Sequence, residues 1–435
     1  FMAFLRLLPF FLLAIAARPA LGHPAHAEEV SHPFIAGFER FFAEDDAPAY
    51  LRQGGELLLS ELNCVACHEP PVNLRNRLPK APGPDLRGIA SRISDPSALQ
   101  IIIRNPRYLK RGTRMPSLFA ASDRDPEELD ALFHFLLSQR TEAQEPLLLG
   151  IPERGMELYH TVGCVGCHAP DVEYRPRSLA EDAVQEPPAL PSLPIRLAAY
   201  WSADHLTRYL MNPAEHHPGT RMPDSGLSEQ EAADIAAYLQ AGPEVVDPTA
   251  SHPEADLALV DQGRKIFRSK GCVACHDLGL SNQAIAPPLT QLRTEDVGCL
   301  AELPTKGGVP YFYLGSAQRT AIKLALSELG SEMGQPLTRE LMRWDCFACH
   351  TLDGRGGPET SREPYFGAGN PYALDREHFL PPSLDDLDNR RSREDLEAIF
   401  SGTSQRRYPQ VQSRMIRVEP ALQPALIELL IGQSR

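Results

Sequence analysis

The sequence predicts a mainly α-helical chain of four small modules in tandem, the third shortened and atypical. Three observations predict it. The string Cys-x-x-Cys-His occurs four times, at Cys64/Cys67/His68, Cys164/Cys167/His168, Cys272/Cys275/His276 and Cys346/Cys349/His350, with steps of 100, 108 and 74 residues between first cysteines. Self-similarity on this scale marks an array of one repeated unit. The phrase Gly-Thr-Arg-Met-Pro occurs twice, at Gly112–Pro116 and Gly219–Pro223, each copy ahead of apolar residues at helical spacing. Finally, 435 residues exceed one domain, and 41 prolines with 7% aromatics suit small domains rich in ordered loops.

In chain order, Leu7–Ala17 is an apolar stretch after Arg6, followed by the small-residue cleavage signals Ala20-Leu21-Gly22 and Ala25-His26-Ala27. Residues 1–27 therefore read as a secretory signal peptide translated from Met2, too short for a comfortable membrane span; an uncleaved anchor is the alternative. Residues 28–45 form a lead-in, and the modules are expected at 46–142, 143–243, 244–335 and 336–435, with linkers near 142–153 and 242–253. The first module closes on a helix capped by Asp125 with Pro126 in its first turn and a stripe of Leu129, Leu132, Phe133, Leu136 and Leu137. The second closes on Ser228-x-x-Glu231, a capping box, with Ala232, Ile235, Ala236 and Leu239 inward. The fourth closes on the apolar-periodic run 421–431.

Cys-x-x-Cys-His is the attachment signature of c-type haem. Two thiols near one face of a turn form thioether bonds to one edge of the porphyrin, and the adjacent His supplies the proximal bond to iron. Zinc sites of four cysteines do not require a His after the second Cys. A disulfide between residues so close would constrain almost nothing. Four haem c groups are therefore expected, on Cys64, Cys67, Cys164, Cys167, Cys272, Cys275, Cys346 and Cys349, with His68, His168, His276 and His350 as proximal ligands.

What fills the sixth position of each iron decides between carrier and reactive centre. Met115 and Met222 stand in the repeated phrase, 47 and 54 residues after His68 and His168, and Met415 follows His350 by 65. The order of attachment helix, Pro-Leu segment, middle helix, Met loop and final helix resembles class I cytochrome c domains. That resemblance implies His68/Met115, His168/Met222 and His350/Met415 as axial pairs. Arg114, Arg221 and Arg414, each directly before its Met, are candidates for haem propionates. Met211 lies mid-helix and reads as core, while His134 and His205 read as packing or surface residues.

The third module breaks the pattern. Matching its final helix to that of the second places Val309-Pro310 where Met222-Pro223 stands, and the middle helix is missing. Candidate distal ligands for its haem are Met333 and Cys299, the one cysteine outside a haem motif, with His252 and His378 more distant; Tyr311 and Tyr313 are candidates to cover the porphyrin. An open third haem is an equal expectation, able to bind nitric oxide, carbon monoxide or peroxide.

Further phrases, Gly37-Phe38-Glu39-Arg40-Phe41, Gly298-Cys299-Leu300-Ala301 with Tyr311–Arg319, Gly354–Pro358 and Leu380-Pro381-Pro382, resemble a group of bacterial multi-domain cytochromes that look like uncharacterised electron-transfer proteins. Formal net charge is −14, and the two charged residues before Ala27 are both Arg, so the remainder is more acidic still. That excludes nucleic acid as a partner and favours docking surfaces of opposite sign. The expectation is a periplasmic or exported bacterial tetrahaem cytochrome passing electrons between redox protein partners or a membrane respiratory complex. Membrane association follows only if the signal segment is retained. The alternative is a multihaem oxidoreductase, peroxidase-like or nitrogen-oxide reducing, with the third haem as its open site.

Overall fold

The computed structural model describes residues 31–44, 47–119, 126–142, 145–171, 173–179, 200–241, 253–292, 295, 297–304, 309–330, 335–367, 379–404 and 413–432. The fold is mainly helical; a two-residue hairpin, Thr351–Leu352 with Arg355–Gly356, is the one sheet among the described residues. Eight helices carry the architecture. Four end just before a haem motif: α1 (Pro48–Glu61), α3 (Pro152–Thr161), α5 (Leu257–Ser269) and α7 (Pro336–Arg343). Four are the final helices: α2 (Pro126–Leu137), α4 (Glu229–Gln240), α6 (Ser316–Ser327) and α8 (Gln423–Ile431).

Each leading helix is stopped the same way. The residue before the first cysteine has positive φ, Asn63 at 56°, Gly163 at 123°, Gly271 at 78° and Asp345 at 54°. Asn, Asp and Gly tolerate that region best, so the helix reverses there and the motif begins as a 3₁₀ turn. In all four turns the His amide donates to the carbonyl of the first cysteine at 2.9 Å, which closes the turn over the motif.

Leading and final helices cross at a glycine nine residues before the first cysteine. A Cβ on Gly55 would stand 2.9 Å from the Cβ of Ala325 and closer still to the Ala321 carbonyl oxygen; Gly155 meets Asp234 and Tyr238 in the same way, and Gly263 meets Ala131 and Phe135. Absence of a side chain lets the two backbones touch. In α7 the corresponding residue is Leu337, and its crossing with α8 is correspondingly looser.

These crossings correct the expected module boundaries. Helix α3 packs on α4 within residues 143–243, but α1 packs on α6 and α5 on α2. Residues 46–142 and 244–335 therefore do not fold as separate units: each supplies the leading half of one unit and the closing half of the other. One core joins Leu58, Leu62 and Val65 to Leu289, Leu300, Leu314 and Ile322, and continues into α7 and α8. A second joins Ile93, Leu99, Leu132 and Phe135 to Val260, Ile266 and Phe267. His134 serves this exchange, its Nδ1 accepting from the Asp256 amide at 3.1 Å where α5 begins. The physical reason for the swap is that both pairs close with the same glycine-on-alanine contact, so either partner satisfies the leading helix locally. Backbone bonds fix the crossed choice: Gly83 N–H donates to the Cys275 carbonyl at 2.8 Å, and Leu289 N–H to the Glu69 carbonyl at 3.0 Å.

Candidate haem centres

Proximal histidines are oriented by proline carbonyls. Nδ1 of His68 lies 2.7 Å from the Pro287 oxygen, that of His276 3.0 Å from Pro84 and that of His350 2.8 Å from Pro382. Such a carbonyl accepts a hydrogen bond from Nδ1–H and leaves Nε2 as the lone-pair nitrogen a metal needs. Burial lowers the pKa of His276 and His350, opposed by these carbonyls. The imidazole of His276 also depends on Gly83, where a Cβ would stand 2.7 Å from its Cε1. The first two partners come from across the exchange: Pro287 belongs to the third sequence module and Pro84 to the first.

The repeated phrase has a structural explanation. Thr113 Oγ1 accepts from the Met115 amide at 3.2 Å and Thr220 Oγ1 from the Met222 amide at 3.0 Å, so the threonine sets the turn that presents the methionine. The arginines that the sequence offers as propionate partners pair here with buried or half-buried glutamates. Arg114 Nη1 lies 3.1 Å from Glu61 Oε2, and Arg221 forks onto both Glu61 oxygens at 2.9 and 2.7 Å. Arg343 reaches the same carboxylate at 3.5 Å, while Arg221 stacks over Trp344 at 4.4 Å. Glu61 is almost wholly buried, and this hub ties the end of α1 to the Met115 loop, the Met222 loop and the end of α7. Arg414 binds Glu231 of the α4 capping box instead.

The motifs meet in two pairs. Asn63 Nδ2 donates to Cys275 Sγ at 3.3 Å. Cys167 Sγ lies 3.2 Å from Asp345 Oδ2, and a Cβ on Gly166 would stand 3.3 Å from Cys349 Sγ. The distal loops meet in the same pairs: antiparallel bridges join Ser117 to Tyr311 and Asp224 to Arg417. Each bridging residue is two positions beyond Met115, Val309, Met222 or Met415, so Val309 occupies the methionine position by geometry as well as by sequence.

Cys299 sits in a 3₁₀ turn whose first residue, Gly298, would carry a Cβ 3.9 Å from Val309 Cγ1, and it lies within electrostatic reach of Cys64 and Cys67, the motif joined to its segment by the exchange. Burial pushes its thiol up to about 11, with Cys67 adding to the shift. Met211 packs beside Met222 on the second module's core, and Met415 is exposed. His205 is buried against Trp201 at 4.6 Å. Met333, His252, His378, Asp125 and the signal segment lie outside the described residues.

One continuous cavity of about 2570 Å³ is lined by all eight motif cysteines, all four motif histidines, Met115, Met222, Met415 and Val309. Single-ligand pockets span roughly 300–1,000 Å³, so the space fits several porphyrins, and its donors are the thiol, imidazole and thioether set that haem c uses.

Residues 152–242 match the family model of cytochrome c. That stretch holds α3, Cys164–His168, Met222 and α4, and it implies covalently bound haem c for this domain. Short similarity extends to the cytochrome c of Theileria parva, 51% identical over 41 residues, which is 9% of this chain and 36% of that protein. Tetrahymena pyriformis cytochrome c is 44% identical over 41 residues, 9% of this chain and 38% of its own. That of Guizotia abyssinica is 42% identical over 45 residues, 10% and 40%. The chain thus spans well under half the length of these relatives. No solved structure matches. The unit signals missed from sequence were the glycine at nine residues before three of the four motifs and Glu61; the first is visible as a repeat, the second only in three dimensions.

Proposed function

We propose that the chain binds four haem c groups and conducts electrons through them, as an exported carrier between redox partners. The observation that carries this is the pairing of attachment turns: Cys275 with Asn63, and Cys167 with Asp345 and beside Cys349. Since tunnelling falls off exponentially with edge separation, haems bonded at these cysteines exchange electrons fastest within a pair. Transfer between the pairs would pass the Glu61–Arg221–Trp344 hub. Histidine and methionine ligation at several centres raises their potentials, which suits delivery to an oxidising acceptor. Among the described residues no helix is long and apolar enough to cross a bilayer.

The test is the mass and haem content of protein exported through a c-type maturation system, followed by a potentiometric titration. Four haems and several overlapping waves are expected. A single haem, confined to residues 152–242, refutes the multihaem reading. Turnover of peroxide or nitrite would replace the carrier reading with the oxidoreductase one.

A further inference from the structure

The exchange redistributes the distal residues. In the fourth unit the chain runs from the proline that holds the histidine, Pro382, through Met415 to the closing helix α8. Read in the same direction, His276 is held by Pro84, and the chain from Pro84 to its closing helix α2 carries Met115. His68 is held by Pro287, and the chain from Pro287 to α6 carries Val309. The Ser117–Tyr311 bridge sets Met115 and Val309 in equivalent places on the two units. This order sets Met115 on the segment that holds His276 and Val309 on the segment that holds His68, the opposite of the sequence-based pairing.

The residues around Val309 show what the vacant place suits. Pro310, Phe312 and Cys299 line the cavity with it, and none of the four carries a charge. The hydroxyl of Tyr311 donates to the Glu302 carbonyl at 2.8 Å, so it points its proton at backbone. Among the described residues these four side chains give an anion such as nitrite no partner to offset its lost hydration, and a distal side poor in donors disfavours oxygen activation.

We infer that the iron held by His68 lacks a methionine opposite the histidine and takes a small neutral π-acceptor such as nitric oxide or carbon monoxide, Met115 instead serving the iron held by His276. This rests on the reading that each motif binds haem.

Carbon monoxide added to the reduced full-length holoprotein is the probe, read by difference spectra alongside haem content. The wild type is expected to bind one carbon monoxide per chain. Val309→Met places a thioether at the vacant position without removing a haem and should reduce the stoichiometry to zero, and in the oxidised protein it should add intensity to the long-wavelength methionine-to-iron band. Met115→Ala should raise it from one to two. Cys272→Ala/Cys275→Ala should lower the haem content by one and keep the single carbon monoxide; if binding disappears with that haem, the open iron is at His276 and the inference falls. Wild type that binds none, with one molecule bound by Cys299→Ala, makes Cys299 the ligand and also overturns it. A cysteine-pair variant that leaves haem content unchanged instead refutes the multihaem reading, so the two failures are separable.

Discussion

Replacing Gly55 by Ala tests the crossed architecture directly. The added methyl would lie 2.9 Å from the Cβ of Ala325 and nearer to the Ala321 carbonyl oxygen, inside the 3.0 Å that real Cβ contacts respect. A carbonyl in mid-helix cannot rotate away, so α1 and α6 must part by roughly 1 Å, a gap that forfeits up to about half of each affected dispersion contact. Overpacking of this kind costs up to about 3 kcal/mol. Alanine returns about 1 kcal/mol of helix propensity over glycine, leaving a net loss of about 2 kcal/mol. Hydrogen exchange resolved along the chain is the assay: that loss reads as ~30-fold faster local opening, centred on residues 316–327 although they lie more than 250 residues away in sequence. Gly263→Ala should act on 126–137 by the same clash, and Gly155→Ala on 229–240 within its own module. If Gly55→Ala loosens 126–137 and spares 316–327, the modules are contiguous and the exchange is wrong.

Glu61→Gln leaves Arg114, Arg221 and Arg343 without their shared counter-charge in a buried site. A loss of about 3–5 kcal/mol is expected, measured as a lowered melting temperature; an unchanged melt would mean the hub is solvated. Acid stability should depend on Glu231, whose carboxyl is held down at about 2 by the hydrogen bond from Arg414, against an ordinary value of 4.5. A depressed folded value gives stability that is present above about 4.5 and lost as pH falls toward 2, so Arg414→Met should remove that part of the acid limb in melts taken across this range. His160 adds a loss at higher pH. It is fully buried, with Nδ1 on the Met156 carbonyl at 2.7 Å and Nε2 accepting from the Asp171 amide at 2.9 Å, and burial lowers its pKa from 6.5 to about 4. Because the unfolded chain takes up this proton first, stability should fall between pH 6.5 and 4, and His160→Phe should flatten that segment of the profile.

The haem motifs, the helices that lead into them and the methionine phrases were legible because each is local. The positive-φ residue before each first cysteine, the threonine that turns back on the Met115 and Met222 amides, and the Ser228–Glu231 capping box all act within a few residues. Val309 was likewise visible as the residue standing where a methionine belongs. Which iron it faces was not. Both crossings use glycine on a small-residue face, and both histidines use a proline carbonyl, so sequence periodicity treats the partners as interchangeable. Contacts separated by more than 200 residues, His68 to Pro287, α1 to α6 and Asn63 to Cys275, broke that degeneracy. The sequence by itself determined that the Cys-x-x-Cys-His string occurs four times and that valine stands at one of the four positions where the others carry methionine. Tertiary structure alone decided that the segment carrying Val309 closes on the helix and histidine of the first motif, because contacts distant in sequence pair α1 with α6 and His68 with Pro287.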